Sequence, residues 1–172
     1  TFPALQHYAH TIAVGIVVMI LTFFSLVLGE LLPKRIGLNY PEAYGGMNLD
    51  LFYTVIFLEE LQKVKSSGFA AAMWAHAYLA MTHLNAEGSE TIKQNYLTPS
   101  ILGEKIGALC VTEPFGGSDV AGMRTTAVKQ GDKFIINGSK TFITNGVYAD
   151  YYIVAAKTNP ELGNKGISIF LV

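Results

Sequence analysis

Hydrophobic positions along the chain follow three different rules. From residue 11 to residue 29, TIAVGIVVMILTFFSLVLG, nineteen residues pass without a charge or a polar stripe. That pattern predicts one continuous helix with Pro33 at or just past its end. At about 1.5 Å per residue the run is roughly 28 Å long, close to the hydrocarbon thickness of a bilayer. A helix of a soluble core normally keeps a polar stripe and runs shorter, so the segment reads as a transmembrane-like helix. Further on, Leu51, Val55, Leu58, Leu61 and Val64 recur at three- and four-residue steps, with Asp50 placed to cap a helix and Gly68 to stop it. A second helix is predicted over FAAAMWAHAYLAMTHLNAE, and a third, short one behind Ser89 that carries Ile92 and Tyr96 and stops before Pro99. From Ile106 the period shortens to strand-like runs, IGALCVTE, RTTAVKQ, KFIINGSKTFITNG, YYIVAAKT and GISIFLV. Turn signals separate them, and Asn137-Gly138 supplies the two positive-φ residues of a hairpin over residues 133–144.

These elements predict an α+β chain: an N-terminal transmembrane-like helix, then an α-helical bundle fragment, then a partial antiparallel β-barrel. The composition shifts place the boundaries at residues 1–38, 39–105 and 106–172, with the turn-rich Asn39-Tyr40-Pro41-Glu42 and Gly45-Gly46 as a hinge. Residues 1–38 hold only three charged side chains, Glu30, Lys34 and Arg35. Because Lys34 and Arg35 follow the apolar run, the positive-inside rule places its C-terminal end, and the part that follows, in the cytoplasm. A cleaved signal peptide is not expected, since no basic segment precedes the run and no small-x-small site follows it. Twelve basic against thirteen acidic residues leave a net charge of -1. With no basic run longer than Lys34-Arg35, no nucleic-acid footprint is present. The single cysteine, Cys110, excludes an internal disulfide framework and a cysteine-rich zinc site. The chain starts without Met and stops inside an apolar run, which reads as a fragment.

The candidate chemistry is sparse. His76 and His83 lie seven residues apart on one predicted helix, but no third ligand stands at metal spacing, so they read as packing histidines and no metal site is expected. Glu59 and Glu60 point about 100° apart on a helix and cannot form a paired-carboxylate site. The stretch Thr112-Glu113-Pro114-Phe115-Gly116-Gly117-Ser118-Asp119 leaves a strand into a glycine-bearing loop. Such a loop offers main-chain N-H groups and hydroxyls to a phosphate or a polar heteroring. It is neither a Walker loop nor the dinucleotide fingerprint.

Two resemblances follow from motifs. Gly29-Glu30-Leu31-Leu32-Pro33-Lys34 is similar to the Gly-Glu-x-x-Pro-Lys motif that ends a spanning helix in CNNM/CorC-type magnesium transport proteins. The resemblance covers residues 1 to about 42 and implies that Glu30 corresponds to an intramembrane ion-site carboxylate; a Glu that snorkels at an interface is the plainer alternative. Three further motifs in order, LCVTEPFGGSDVAGMRTTA, INGSKTFITNG and ADYYIVAAKT, resemble the acyl-CoA dehydrogenase family, as do PEAYGG, the EEL helix and YLTPSILGEKIGA upstream. This second resemblance spans residues 40–172.

It implies an FAD-dependent oxidation of an acyl-CoA thioester between Cα and Cβ. By motif matching, Leu109, Val111 and Thr112 would line the pyrimidine side of the flavin. Gly117 and Ser118 would meet the FAD pyrophosphate, with Ser118 also touching the acyl-CoA, and Phe142, Ile143 and Thr144 would form a strand against the flavin, Thr144 near N5. Many family members carry Trp in place of Phe142 and Ala in place of Gly116, and the position of Phe115 is often small. The family's catalytic glutamate lies in a C-terminal helical domain, so no catalytic residue is expected within the chain. For the intact family member the resemblance implies electron-transfer flavoprotein as partner and a homo-oligomer. Glu113, locked beside Pro114, reads as a residue that holds the loop rather than a base. Three readings stay open at this point: an acyl-CoA dehydrogenase piece joined to an unrelated membrane segment, a CNNM/CorC-like membrane protein with a fused binding module, and an artefactual join near residues 39–42.

Overall fold

The structure is a computed structural model that describes residues 9–26 and 37–172, with side chains described from 11 to 25 and from 37 onward. Helix α1, Ala9–Leu26, covers most of the first apolar run, and its residues 11–25 are exposed. Residues 27–29, Glu30 and Pro33 fall outside the described part. The expectation of a membrane span is not supported. Among the described residues no helix is long and apolar enough to cross a membrane.

The helical region begins with a tight turn, Glu42–Tyr44, closed by Gly45 at φ +90°. It folds back on Tyr40, whose hydroxyl donates to the Ala77 carbonyl deep in the core. Asp50 caps α2, Leu51–Gln62, by accepting from the Phe52 N-H, as its position before an apolar run predicts. Helix α2 stops at Gln62 rather than at Gly68. Lys65 takes φ +55°, and Ser66 then caps the next helix, leaving Gly68 inside it. That helix, α3, runs over residues 67–87 and widens into a π turn at Ala75–Ala80, where Met81 N-H reaches His76 O. Ser89 caps α4, residues 90–101, through the Ile92 N-H. Instead of ending before Pro99, α4 passes through it: a second π turn, Lys93–Leu97, with Thr98 N-H donating to Lys93 O, opens the turn into which the proline fits.

The β region is an open mixed sheet rather than a partial antiparallel barrel. Strands β1 (Gly107–Cys110), β2 (Thr126–Gln130), β3 (Lys133–Asn137), β4 (Tyr151–Lys157) and β5 (Ile167–Leu171) are ordered β1-β4-β2-β3, with β5 also paired to β4. Strand β4 is the hub: β1 runs parallel to it, β5 antiparallel, and β2 meets its end through Thr126 opposite Lys157. The hairpin is β2-β3, turning at Gly131-Asp132 with Gly131 at φ +64°. Asn137-Gly138 ends β3 and does not join two strands. A Cβ at Gly138 would drive into Thr125, so the glycine there serves close packing, not a hairpin. Residues 140–144, expected to continue as a strand, form a loop, because their main chain turns toward Thr112 instead of pairing with β3.

One face of the sheet closes the helical core. Tyr151 and Ile153 of β4 join Ala77, Ala80, Met81, Leu84, Leu97 and Ile101 in a single cluster, with Leu109 and Leu171 packed at its margin. These strand residues are opposite one another or two apart in register, so the pleat directs them to the same face. Tyr151 is 1% exposed, edge-on to Tyr96 at 5.6 Å, and accepts from Ser100 Oγ at 3.1 Å. Burial pushes its pKa up to about 12, so it stays neutral.

Candidate functional site

Two of the motifs that carry the acyl-CoA dehydrogenase resemblance, at residues 109–127 and 136–146, are adjacent in space. Beyond β1 the chain runs through Val111 and Thr112, both half-buried, and turns at residues 113–116, where Glu113 and Gly116 exchange backbone hydrogen bonds of 3.0 and 3.1 Å. Gly117 folds back over Thr112; a Cβ there would stand 3.3 Å from the Thr112 methyl and 3.5 Å from its hydroxyl. Gly117 and Ser118 are exposed. From the other motif, Thr141 N-H donates to Thr112 O at 2.9 Å, bringing Phe142, Ile143 and Thr144 alongside.

Leu109 alone among the sequence-predicted residues has its side chain turned away, into the helical core, so only its main chain is available to a ligand. The other seven lie on the joined segments 111–118 and 141–144. Phe142 carries the most pronounced feature: it holds φ +53° and is 93% exposed. A large aromatic in a left-handed conformation, with its ring in water, combines backbone strain and lost burial, and such costs concentrate at ligand sites. The loop that presents it is fixed from below. Asn145, also at positive φ, donates through Nδ2 to Ala72 O of α3 at 2.9 Å, and Tyr152 donates to Gly146 O at 3.0 Å. Val147 and Tyr148 in the same loop are 88% and 79% exposed.

Glu113 organises the underside. Its side chain is 5% exposed and accepts from Arg124 N-H at 2.7 Å, Thr125 N-H at 2.9 Å and Lys140 Nζ at 2.9 Å. Burial alone would raise its pKa, but hydrogen bonds from Thr125, Arg124 and Lys140 outweigh it and hold the carboxyl down at about 2. A carboxylate so stabilised is a poor proton acceptor, which agrees with its reading as a loop anchor and not a base.

His76, in the π turn of α3, joins the helices to β1. Gly107 N-H donates to its Nδ1 at 3.0 Å, so the proton sits on Nε2, which donates to Ser100 O at 3.3 Å. Burial pushes the His76 pKa below its ordinary value, against the raising effects of the Ser100 bond and of Asp150. His83 is half-buried on a later turn, and no group of three metal-ligating side chains occurs among the described residues. Both ring nitrogens of His76 are engaged within the protein, a structural task that its spacing does not reveal. Neither Lys140 nor the His76 joint was singled out from sequence, because their partners lie 24 to 31 residues away.

Residues 34–104 match the acyl-CoA dehydrogenase N-terminal domain and residues 108–172 the acyl-CoA dehydrogenase middle domain. This part of the chain belongs to the acyl-CoA dehydrogenase family. Residues 1–60 also match the Cyclin M transmembrane N-terminal domain. A short-chain specific acyl-CoA dehydrogenase of Clostridium acetobutylicum is 43% identical over 136 residues, which are 79% of this chain and 36% of that protein. Butyryl-CoA dehydrogenase from Megasphaera elsdenii superimposes with a TM-score of 0.78 at 38% identity, covering 84% of this chain and 39% of that one. An FAD complex of PigA superimposes with a TM-score of 0.76 at 35% identity, covering 81% and 37%. The chain thus spans about a third of the length of the curated relatives it matches.

Proposed function

We propose that residues 40–172 supply the helical part and one wall of the flavin site of an FAD-dependent acyl-CoA dehydrogenase, which desaturates an acyl thioester between Cα and Cβ. The observation that carries this reading is the exposed, left-handed Phe142, held by Thr141 against Thr112. An exposed apolar ring on a segment that Thr141 joins to Thr112, with a second threonine two residues on at Thr144, suits a planar heteroring with polar edges, so the residues present fit the cofactor.

Bound FAD would supply the hydride acceptor. Phe142 and Ile143 would pack on the ring, while the Thr112 and Thr144 hydroxyls and the main chain at Leu109 and Val111 would hydrogen-bond its edge. Gly117 and Ser118 would meet the pyrophosphate, Gly117 because a side chain there would press on Thr112, and Ser118 would also bind the acyl-CoA. The family resemblance assigns the catalytic glutamate to a C-terminal helical domain outside the matched residues. It also implies electron-transfer flavoprotein as the electron acceptor and a homo-oligomeric assembly.

Thr112→Val and Thr144→Val test the assignment in a protein extended at Val172 with the C-terminal region of the Clostridium relative. Each hydroxyl bond to a ring that gains negative charge on reduction is worth about 1.5–3 kcal/mol. Each variant is expected to lower the flavin potential or the reduction rate while keeping the thermal unfolding midpoint. Unchanged spectrum, potential and rate in both variants would refute the site.

A further inference from the structure

We propose that Lys140 is a positioning residue that locks the Val111–Thr112 segment and the Thr141–Thr144 segment into one rigid surface. Its ammonium donates to Val111 O at 3.0 Å and to Glu113 Oε1 at 2.9 Å, bracketing Thr112 from both sides. The next residue, Thr141, donates its N-H to Thr112 O at 2.9 Å. Lys140 thus reaches back with its side chain while its neighbour's main chain grips the same strand end, and the two contacts together fix the approach angle of Phe142. Glu113 extends the lock to a third segment through Arg124 and Thr125 N-H. Arg124 in turn lies 4.0 Å over the Phe115 ring, tying the tip of the glycine-bearing loop to the same assembly.

The buried placement makes the lock stiff. Lys140 and Glu113 side chains are 11% and 5% exposed, so water competes little for either partner. A lysine in a solvated loop would normally extend outward; this one instead satisfies a main-chain carbonyl and a buried carboxylate. Lys140 touches none of the exposed surface of Phe142 directly. Its influence on a flavin rests on the function proposed above and passes through Val111, Thr112 and Thr141.

The experiment compares the natural Lys140 with Lys140→Met and Lys140→Arg, by amide hydrogen exchange on the 172-residue chain and by FAD titration, followed by flavin fluorescence, of the chain extended at Val172 with the C-terminal region of the Clostridium relative. Glu113 keeps two N-H donors in both variants, and the Gly107 amide, held by His76, serves as the internal control for a change in overall stability. In Lys140→Met the Thr141 amide is expected to exchange about tenfold faster and FAD to bind about tenfold more weakly, with Gly107 unchanged. Lys140→Arg, which keeps the charge, should recover most of both effects. Unchanged Thr141 exchange in Lys140→Met would overturn the proposal, as would equal acceleration at Gly107, which would make Lys140 a general stability residue. Acceleration confined to Thr141 in a chain that binds no FAD in any form would support the lock and count against the flavin reading.

Discussion

Replacing Glu113 by Leu is expected to cost about 3–5 kcal/mol of folding stability, because it strands the Lys140 ammonium in a nearly dry site and leaves Arg124 and Thr125 N-H without their acceptor. Glu113→Gln should be milder, since its carbonyl oxygen can still take one of the two N-H groups, yet its amide end would face a donor instead of an acceptor. Urea unfolding at neutral pH checks both, and a change within 0.5 kcal/mol, the about ±0.5 range of surface substitutions, would remove the carboxylate from the folding account. The same group sets a pH dependence. Its folded pKa of about 2 lies below the ordinary 4.5, so its contribution is fully present above pH 4.5 and is lost as pH falls toward 2. Unfolding midpoints followed over that window should decline in the natural chain and decline less in Glu113→Gln.

His76→Leu is the second large effect. The substitution fills the volume but leaves the Gly107 N-H without an acceptor at the point where β1 meets α3, at a cost of about 1–3 kcal/mol. The control is internal to the geometry: protonating Nδ1 destroys the same bond. The folded pKa of His76 is lowered from 6.5, so the unfolded chain takes up the proton first, and stability falls as pH drops below 6.5. In His76→Leu that part of the pH profile should be flat. A natural chain with equal stability at pH 7 and at a pH between 5 and 6 would contradict the joint. The joint is also tightly packed, since a side chain at Gly107 would strike the Tyr151 ring, which stands edge-on to Tyr96 and accepts from Ser100.

How much of this was legible in the sequence depended on the range of the forces involved. Helix starts were legible, because Asp50 and Ser89 act on N-H groups two and three residues away. Helix ends were less so. The α2 stop comes from Lys65 adopting a left-handed conformation that lysine does not favour, and the passage of α4 through Pro99 depends on a π turn formed by the residues before it. Strand existence was mostly legible from alternation, but pairing was not: β1 runs parallel to a strand more than forty residues later, and the antiparallel expectation had only local turn signals to work with. Asn137-Gly138 misled for that reason. Its glycine answers to Thr125, a contact across the sheet end, and not to a hairpin of its own. The site divided in the same way. Motif order placed the candidate site on Thr112, Gly117, Ser118 and Phe142 to Thr144, whereas Lys140, which bonds Val111 and Glu113, acts over a long sequence distance and carries no spacing signature.

The apolar N-terminal run illustrates a different limit. Its lack of charge was plain, yet among the described residues no helix is long and apolar enough to cross a membrane.

The central claim is that residues 40–172 form one wall of a flavin site. Its most direct test is the cofactor content of this chain extended at Val172 with the C-terminal region of the Clostridium relative, followed by anaerobic addition of an acyl-CoA. A yellow protein that carries FAD and is bleached by the thioester is expected, with Phe142→Ala losing the bound flavin while the unfolding midpoint of its FAD-free form matches that of the FAD-free parent. A folded extended protein that stays colourless after incubation with FAD, or one that binds it equally well without the Phe142 ring, would contradict the account.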